Sequence, residues 1–251
     1  TIGQGGFQEV EQMAAFKDMV AYQEEVRDPT RVAEVLNRVI TKARRMSAPA
    51  QINIPRDLWT QVVDIELPAI VEFELPSGGT DALAAAAELL SNAKFPVILN
   101  GAGVVLGAAI PASQALAERL DAAVCCNYQH NDAFPGSHPL FAGPLGYNGS
   151  KAGMELIQQA DVVLALGTRL NPFSTLPGYN LDYWPKDAKL IQVDINPDRI
   201  GLTKSVSVGI VGDAKRVAEQ LLEQLADHAG SAGRAERRNL IASKKSAWAE
   251  S

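Results

Sequence analysis

The sequence predicts an α/β fold, with a doubly wound parallel sheet over residues 80–228 and a partial α/β domain before it over residues 1–57. Three observations predict this fold. Short apolar segments alternate with helical patterns, as in chains that cross over from one parallel strand to the next. The segments are continuously apolar, which is typical of strands that are covered on both faces. Glycine-rich turns follow several of them, as is usual in such sheets.

Length, composition and charge exclude several classes of protein. The 251 residues are 47% hydrophobic and 21% charged, as in globular rather than disordered proteins. A net charge of -6 argues against general binding to nucleic acid or to anionic membranes. No apolar run approaches the ~20 residues of a membrane helix, and the polar start does not resemble a signal peptide. We therefore expect a soluble, cytoplasmic protein without nucleic-acid or membrane partners.

Residues 7–57 predict a helix, a second helix and a strand. The second helix has Asp28 as its N-cap and Pro29 at its first position. Its apolar residues share one face and are Val32, Val35, Leu36, Val39, Ile40 and Ala43. Residues 50–54 predict a strand. Residues 58–79 contain two prolines and a Ser-Gly-Gly cluster, so we interpret them as a linker.

Residues 80–228 predict the central domain. Its helices are predicted at 81–93, 111–120, 151–160 and 214–226. Its strands are predicted at 96–99, 122–126, 161–166, 190–195 and 206–211. The polar residues 229–251 predict a solvated helix or a linker toward a further domain. Because the first residue is not Met and the sequence stops soon after Trp248, we expect a piece of a longer protein.

A ligand site is predicted at the carboxyl ends of these strands, where open α/β sheets bind nucleotides. The candidate residues are Gly101, Gly103, Gly167, Arg169 and Asp194. Glycine lets a phosphate approach backbone N–H groups, arginine binds phosphate, and a carboxylate accepts from ribose hydroxyls. Each residue also has a structural explanation: a tight turn for the glycines, an ion pair for Arg169 and a turn cap for Asp194. The residues alone leave both interpretations open.

Other side chains carry weaker signals. The adjacent Cys125 and Cys126 predict small buried residues of a strand rather than a disulfide or a zinc site. His130, Asp132 and His138 could suggest a metal site, but their spacing matches no known ligand pattern, so we predict a structural or surface role and no metal site.

Two further features lie near the ends of the predicted strands. Asp213 is a natural N-cap for the helix at 214–226, although a ligand role is the alternative. Residues 171–184 hold four aromatic residues among prolines. They predict an ordered loop that covers a pocket or a subunit contact, or aromatic residues that simply cover the sheet edge.

Several motifs together resemble a known family. They are Phe-Gln-Glu at residues 7–9, Asn-Ile-Pro-Arg-Asp at 53–57, and the segments 101–103, 166–170, 193–196 and 212–214. Their order and separations are similar to the thiamine diphosphate-dependent acetohydroxyacid synthase and pyruvate oxidase superfamily over residues 1–228. The resemblance implies that residues 1–57 end a pyrimidine-binding domain and that residues 80–228 form the central, nucleotide-binding-like domain. It implies that a pyrophosphate-binding domain follows.

The resemblance also implies a reaction. The segments 5–13, 51–57, 128–138, 146–155 and 171–184 are similar to family members that convert sulfoacetaldehyde and phosphate to acetyl phosphate and sulfite, in the breakdown of taurine and other sulfonates. Thiamine diphosphate and Mg²⁺ are the implied cofactors. The implied protein is a homodimer or homotetramer.

The implied site residues fall partly outside this chain. The activating glutamate and the Gly-Asp-Gly run that binds diphosphate and magnesium are expected outside residues 1–251, so this chain alone is expected to be inactive. The resemblance places Phe7 and Gln8 along the substrate channel. Some family members carry FAD on the central domain. FAD is possible here but not expected. Without FAD, the cleft near Gly101 and Arg169 would be empty or vestigial.

Two other functions compete with this one. The central sheet could be a free-standing module that binds FAD, NAD or a CoA-like ligand, as in a relative of acetohydroxyacid synthase. It could also be an interaction domain without a ligand. Residues 1–57 favour the enzyme, because they predict only part of a sheet, which a self-contained module would not carry.

Overall fold

The computed structural model describes residues 3–7, 9–69, 72–230 and 233–250. The chain forms two compact units, residues 1–73 and 74–251. The division into 1–57, 58–79, 80–228 and 229–251 stays a prediction. No helix of the described residues is both long and apolar enough to cross a lipid bilayer.

The first unit is a small parallel sheet packed on one helix. Its helices and strands are α1 (Gln12–Ala15), β1 (Tyr22–Glu25), α2 (Val32–Met46) and β2 (Ala50–Asn53), with single 3-10 turns at Pro29–Arg31 and Arg56–Leu58. β1 and β2 pair in parallel, with Tyr22 opposite Ala50. The predicted order of helix, helix and strand is therefore incomplete, because it lacks the polar strand β1, Tyr-Gln-Glu-Glu.

The helix predicted after Asp28 is confirmed. Asp28 accepts a hydrogen bond from the backbone N–H of Thr30 at 2.9 Å and so caps the first turn, which continues into α2. Val35 and Val39 are buried, as the pattern predicts. Leu36 and Ile40, on the same predicted apolar face, are 43% and 48% exposed.

The second unit is the predicted doubly wound sheet. Its helices are α3 (Thr80–Ser91), α4 (Ala102–Leu106), α5 (Ile110–Leu120), α6 (Lys151–Ile157), α7 (Ala214–Gln224) and α8 (Arg234–Ala249). Its strands are β3 (Pro96–Asn100), β4 (Ala123–Asn127), β5 (Phe141–Leu145), β6 (Val162–Leu166), β7 (Lys189–Asp194) and β8 (Val208–Val211). The strand order is β5-β4-β3-β6-β7-β8, and every neighbouring pair is parallel.

The sheet is covered by helices, as a continuously apolar strand requires. Every residue of β3, β4 and β6 is buried, including Cys125 and Cys126, which are free thiols as predicted. α7 packs against both α3 and α5, and α6 packs against α8.

Two elements of this unit were not predicted, and a third differs from its prediction. β5 contains Gly143 and Pro144, which weaken the strand pattern. α4 is short and begins in the glycine-rich turn after β3. α8 was expected to be a solvated helix or a linker, but Ile241 and Arg237 are buried, so this helix is docked.

Candidate functional site

The candidate ligand site lies where the order of the strands reverses. β3 pairs with β4 on one side and with β6 on the other, and the chain proceeds outward from β3 in both directions. The carboxyl ends of β3 and β6 therefore form the topological switch point, where open α/β sheets bind ligands. Gly101 and Gly103 follow β3, and Gly167 follows β6. The structure thus brings these three predicted residues together.

The three glycines contact one another through their backbones. The N–H of Gly103 donates to the carbonyl of Gly167 at 2.9 Å, and the N–H of Gly101 donates to the carbonyl of Leu166 at 3.0 Å. The N–H of Gly167 donates to the carbonyl of Val193 at 2.9 Å. The close approach of the two loops is a sufficient reason for glycine here. The N–H groups that a phosphate would use already have carbonyl partners.

Arg169 lines a cavity of about 440 Å³. The other lining residues are Tyr128, Gln129, Asn171, Pro172, Phe173, Leu202 and Thr203. Arg169 is exposed, so its guanidinium is available to an anionic ligand. Asn171 begins the 3-10 turn Pro172–Thr175 by accepting from the N–H of Ser174, and this turn holds Phe173 at the cavity. Residues 171–173 of the loop at 171–184 therefore line a pocket, which agrees in part with one of the roles predicted for this loop.

Asp194 ends β7 and caps the next turn. Its Oδ1 accepts from the N–H of Asn196 at 2.9 Å and lies 4.0 Å from the guanidinium of Arg199. Burial raises the pKa of the Asp194 carboxyl above its usual range, whereas the Asn196 hydrogen bond and the charges of Arg199 and Arg169 act in the opposite direction. The capping interpretation thus has a direct observation behind it. The same is true of Asp213, whose carboxylate accepts from the N–H groups of Lys215 and Arg216 at 3.1 Å.

The buried residues Asn127, Thr168 and Gln192 form a hydrogen-bond network next to the switch point. This network was not predicted. The amide of Asn127, at the end of β4, lies 2.9 Å from Oγ1 of Thr168. Nε2 of Gln192, on β7, donates to the carbonyls of Thr168 and Arg199, and its Oε1 accepts from Gly201. These bonds fix the loop that carries Arg169. A sequence signal was present, since Asn127 and Gln192 are polar residues in otherwise apolar strands.

The two residues predicted for the substrate channel belong to the first unit. Phe7 is 95% exposed, so its ring is available for contact with another molecule or another part of the protein. Gln8 lies outside the described residues. The channel role of both residues stays a prediction.

The histidine loop has structural contacts. His138 lies 3.1 Å from Glu118, its Nδ1 accepts from the N–H of Leu140 at 3.2 Å, and its ring packs edge-on against Phe134. His130 lies 3.8 Å from Asp132. In the part of the chain that the structure describes, no group of three His, Cys, Asp or Glu side chains could hold a metal ion.

The described residues do not form a complete site for thiamine diphosphate and Mg²⁺. They contain no such metal-binding cluster, and the sheet's glycine N–H groups donate to carbonyl groups. Of these described residues, Arg169 is the one cationic residue that lines the cavity near the switch point, where a nucleotide such as FAD would bind. We therefore derive no reaction step from this unit.

Comparison with known proteins gives relatives that match all or most of the chain. The sulfoacetaldehyde acetyltransferase of Roseovarius nubinhibens is 78% identical over 250 residues, which is 100% of this chain and 42% of that protein. A probable acetolactate synthase large subunit of Methanocaldococcus jannaschii is 31% identical over 234 residues, 89% of this chain and 39% of that protein. The chain thus spans less than half the length of these relatives.

A solved structure and a family model also match this chain. The crystal structure of benzoylformate decarboxylase from Polynucleobacter necessarius matches with a TM-score of 0.73 and 23% identity, covering 86% of this chain and 40% of that chain. At this identity the match shows the fold alone. The model for the central domain of thiamine pyrophosphate enzymes matches residues 83–221, which contain all six strands of the large sheet. The chain therefore belongs to the thiamine pyrophosphate enzyme family and carries its central domain.

Proposed function

We propose that this chain is part of an acetyltransferase that uses thiamine diphosphate to convert sulfoacetaldehyde and phosphate to acetyl phosphate and sulfite. The observation that carries the proposal is the 78% identity to a sulfoacetaldehyde acetyltransferase over 250 residues, which include the first unit and the loop at 171–184 as well as the sheet. The identity to the acetolactate synthase is 31%.

The proposed reaction balances without an external oxidant. The C–S bond of sulfoacetaldehyde breaks and sulfite leaves with the bonding electron pair. The carbon that carried sulfur gains hydrogen and becomes the methyl group, while the aldehyde carbon is oxidised to the acyl level and bonds to a phosphate oxygen. When bound, thiamine diphosphate supplies the carbanion and the electron sink for this chemistry.

The described residues would support this reaction rather than perform it. The second unit is a packed sheet in which the N–H groups of the switch-point glycines donate to backbone carbonyls, so we propose a scaffolding role for it. We propose that Phe7 and Gln8 contact the substrate. We also propose that Mg²⁺ accompanies the cofactor, that the protein is a cytoplasmic homodimer or homotetramer, and that it takes part in taurine and sulfonate breakdown. The family resemblance supports these proposals.

The decisive test is an assay of the full-length protein with sulfoacetaldehyde, phosphate, thiamine diphosphate and Mg²⁺. We expect sulfite and acetyl phosphate in equal amounts, and neither product when phosphate is omitted. Formation of acetolactate from pyruvate, without sulfite from sulfoacetaldehyde, would contradict the proposal and favour a synthase. The Phe7→Ala variant is expected to lose roughly tenfold or more in kcat/KM, because a displaced substrate reacts slowly. Phe16→Ala, in the same unit, is the matched control and should retain activity.

Nucleotide binding is the second candidate function, and the cavity beside Arg169 is the observation in its favour. We propose that this cavity holds no stoichiometric flavin, because the nearby glycine N–H groups already donate to carbonyl groups. The purified full-length protein should therefore be colourless. A flavin absorbance in proportion to protein, lost in Arg169→Ala but not in Lys186→Ala, would overturn this proposal.

A further inference from the structure

We propose that helix α8 is a docked segment that opens from the central unit on its own, and that the carboxylate of Asp121 holds it closed. Three arginines from the first two turns of α8 surround this carboxylate. Nε of Arg238 lies 2.6 Å and Nε of Arg234 lies 3.3 Å from Oδ1, and Nη2 of Arg237 lies 3.9 Å from Oδ2. Asp121 is fully buried, and a buried charge is unfavourable unless it is paired. The three arginines of α8 pair with it.

Asp121 is positioned by the fold rather than by α8. It ends α5 in the left-handed conformation, with φ of 52°, two residues before β4 begins. Lys94 likewise lies just before β3, the neighbouring parallel strand. Nε of Arg237 donates to the carbonyl of Asp121 at 2.9 Å, and its Nη1 donates to the carbonyl of Lys94 at 2.6 Å. One buried arginine of α8 therefore connects to the amino ends of two central strands.

The docking contacts of α8 combine ion pairs with a small apolar patch, which consists of Ile241 and the partly buried Leu240. Among the described residues of α8, Ile241 is the one apolar side chain that is buried. The second half of the helix adds Lys244, 2.8 Å from Glu155, and Lys245, which donates to the carbonyl of His138 at 3.4 Å. A helix with so little buried apolar surface can open without unfolding the sheet, as the less stable parts of many domains do.

The segment before α8 allows such opening. Gly230 and Gly233 both have positive φ, of 91° and 77°, which other residues rarely adopt. These glycines separate α8 from α7, whose Val217 and Leu221 are fully buried. Opening at this point would leave α7 and the six strands in place.

Removing the charge of Asp121 should release α8. Arg237 is 3% exposed and would lose this counter-charge, a change that is strongly unfavourable for a buried ion pair. Asparagine has nearly the same shape as aspartate and is among the residues that tolerate the left-handed conformation, so Asp121→Asn changes the charge with little strain. Salt should act in the same direction, because Arg234 and Arg238 are half exposed and their attraction to Asp121 is screened.

Hydrogen exchange on the full-length protein tests the inference without relying on activity. In the wild type, amides of Arg234–Ala249 should exchange more slowly than an unfolded peptide but faster than amides of Val162–Leu166. In Asp121→Asn, exchange of α8 should accelerate about tenfold or more while β6 is unchanged. Asp187→Asn, which removes an exposed carboxylate, should leave α8 unchanged.

Three results would overturn the inference. Exchange of α8 at the rate of an unfolded peptide in the wild type would mean that the helix is not docked. Exchange of α8 and β6 at one common rate would mean that α8 opens only when the sheet unfolds with it. An unchanged α8 in Asp121→Asn would mean that the carboxylate does not hold it. If Asp121→Asn fails to fold, Arg238→Gln gives the same reading, with a smaller acceleration because this guanidinium is half exposed.

Discussion

Gly103 and Gly167 hold the two central loops of the sheet together through a backbone hydrogen bond of 2.9 Å. A Cβ at position 103 would lie 2.7 Å from the Cα of Gly167, closer than real Cβ contacts. Gly167 has φ of 61°, so a substitution there would also be strained. The contact between Gly103 and Gly167 therefore occupies the switch point, which is where open α/β sheets bind ligands.

The first prediction concerns this contact. Gly103→Ala should lower the free energy of unfolding of the central unit by about 1–3 kcal/mol, because the added methyl group must push two backbones apart. Gly136→Ala is the matched control, since a Cβ there meets nothing within 4 Å. Chemical denaturation of both variants measures the difference. Equal stability of the two variants would show that the loops separate without cost.

The second prediction concerns the buried charge of Asp194. Its pKa is raised by burial, so the charged form is unfavourable in the folded state. The stability contribution of a group with a raised pKa is present at low pH and is lost as pH rises through the folded pKa. Asp194→Asn keeps an oxygen acceptor for the N–H of Asn196 and removes the charge. We therefore expect stability at pH 7 to be unchanged or higher in Asp194→Asn.

Thermal unfolding of wild type and Asp194→Asn between pH 4 and pH 8 would measure this effect. The wild type should lose stability relative to the variant as the pH rises. A variant that is much less stable at pH 7 would show that the ion pair with Arg199 outweighs the cost of burying the charge.

The third prediction concerns acid stability of the first unit. Two hydrogen bonds from Arg38, at 2.6 and 2.8 Å, followed by one from Tyr22, lower the pKa of Glu24 from 4.5 to about 2. A lowered pKa contributes stability that is complete above the unfolded pKa of 4.5 and is lost as pH falls toward about 2. Hydrogen exchange of β1 and α2 should therefore accelerate over this range.

Glu24→Gln provides the control for this pH effect. It removes the titrating group, so the acceleration between pH 4.5 and pH 2 should be smaller than in the wild type after correction for intrinsic exchange. Glu223→Gln, an exposed acid on α7, should leave the profile of the first unit unchanged. A wild-type profile that matches Glu24→Gln would contradict the prediction.

The apolar strands β3, β4 and β6 were predicted within one or two residues, because burial on both faces requires apolar residues throughout. β1 was missed because its Tyr-Gln-Glu-Glu sequence is polar, and its polar side chains pair with one another: Gln23 bonds to Gln51, and Asn53 bonds to Glu25. β5 was missed because Gly143 and Pro144 disfavour strands, yet an edge position tolerates both.

The sequence by itself determined the fold class, the buried cysteines, the caps at Asp28 and Asp213, and the family. Each depends on local spacing or on motifs in order along the chain. The tertiary structure alone decided that Gly103 bonds to Gly167, that Gln192 fixes the loop carrying Arg169, and that three arginines of α8 meet Asp121. These residues are 24 to 117 positions apart, so no local pattern encodes their contacts. They meet because parallel strands bring distant loops to a common edge.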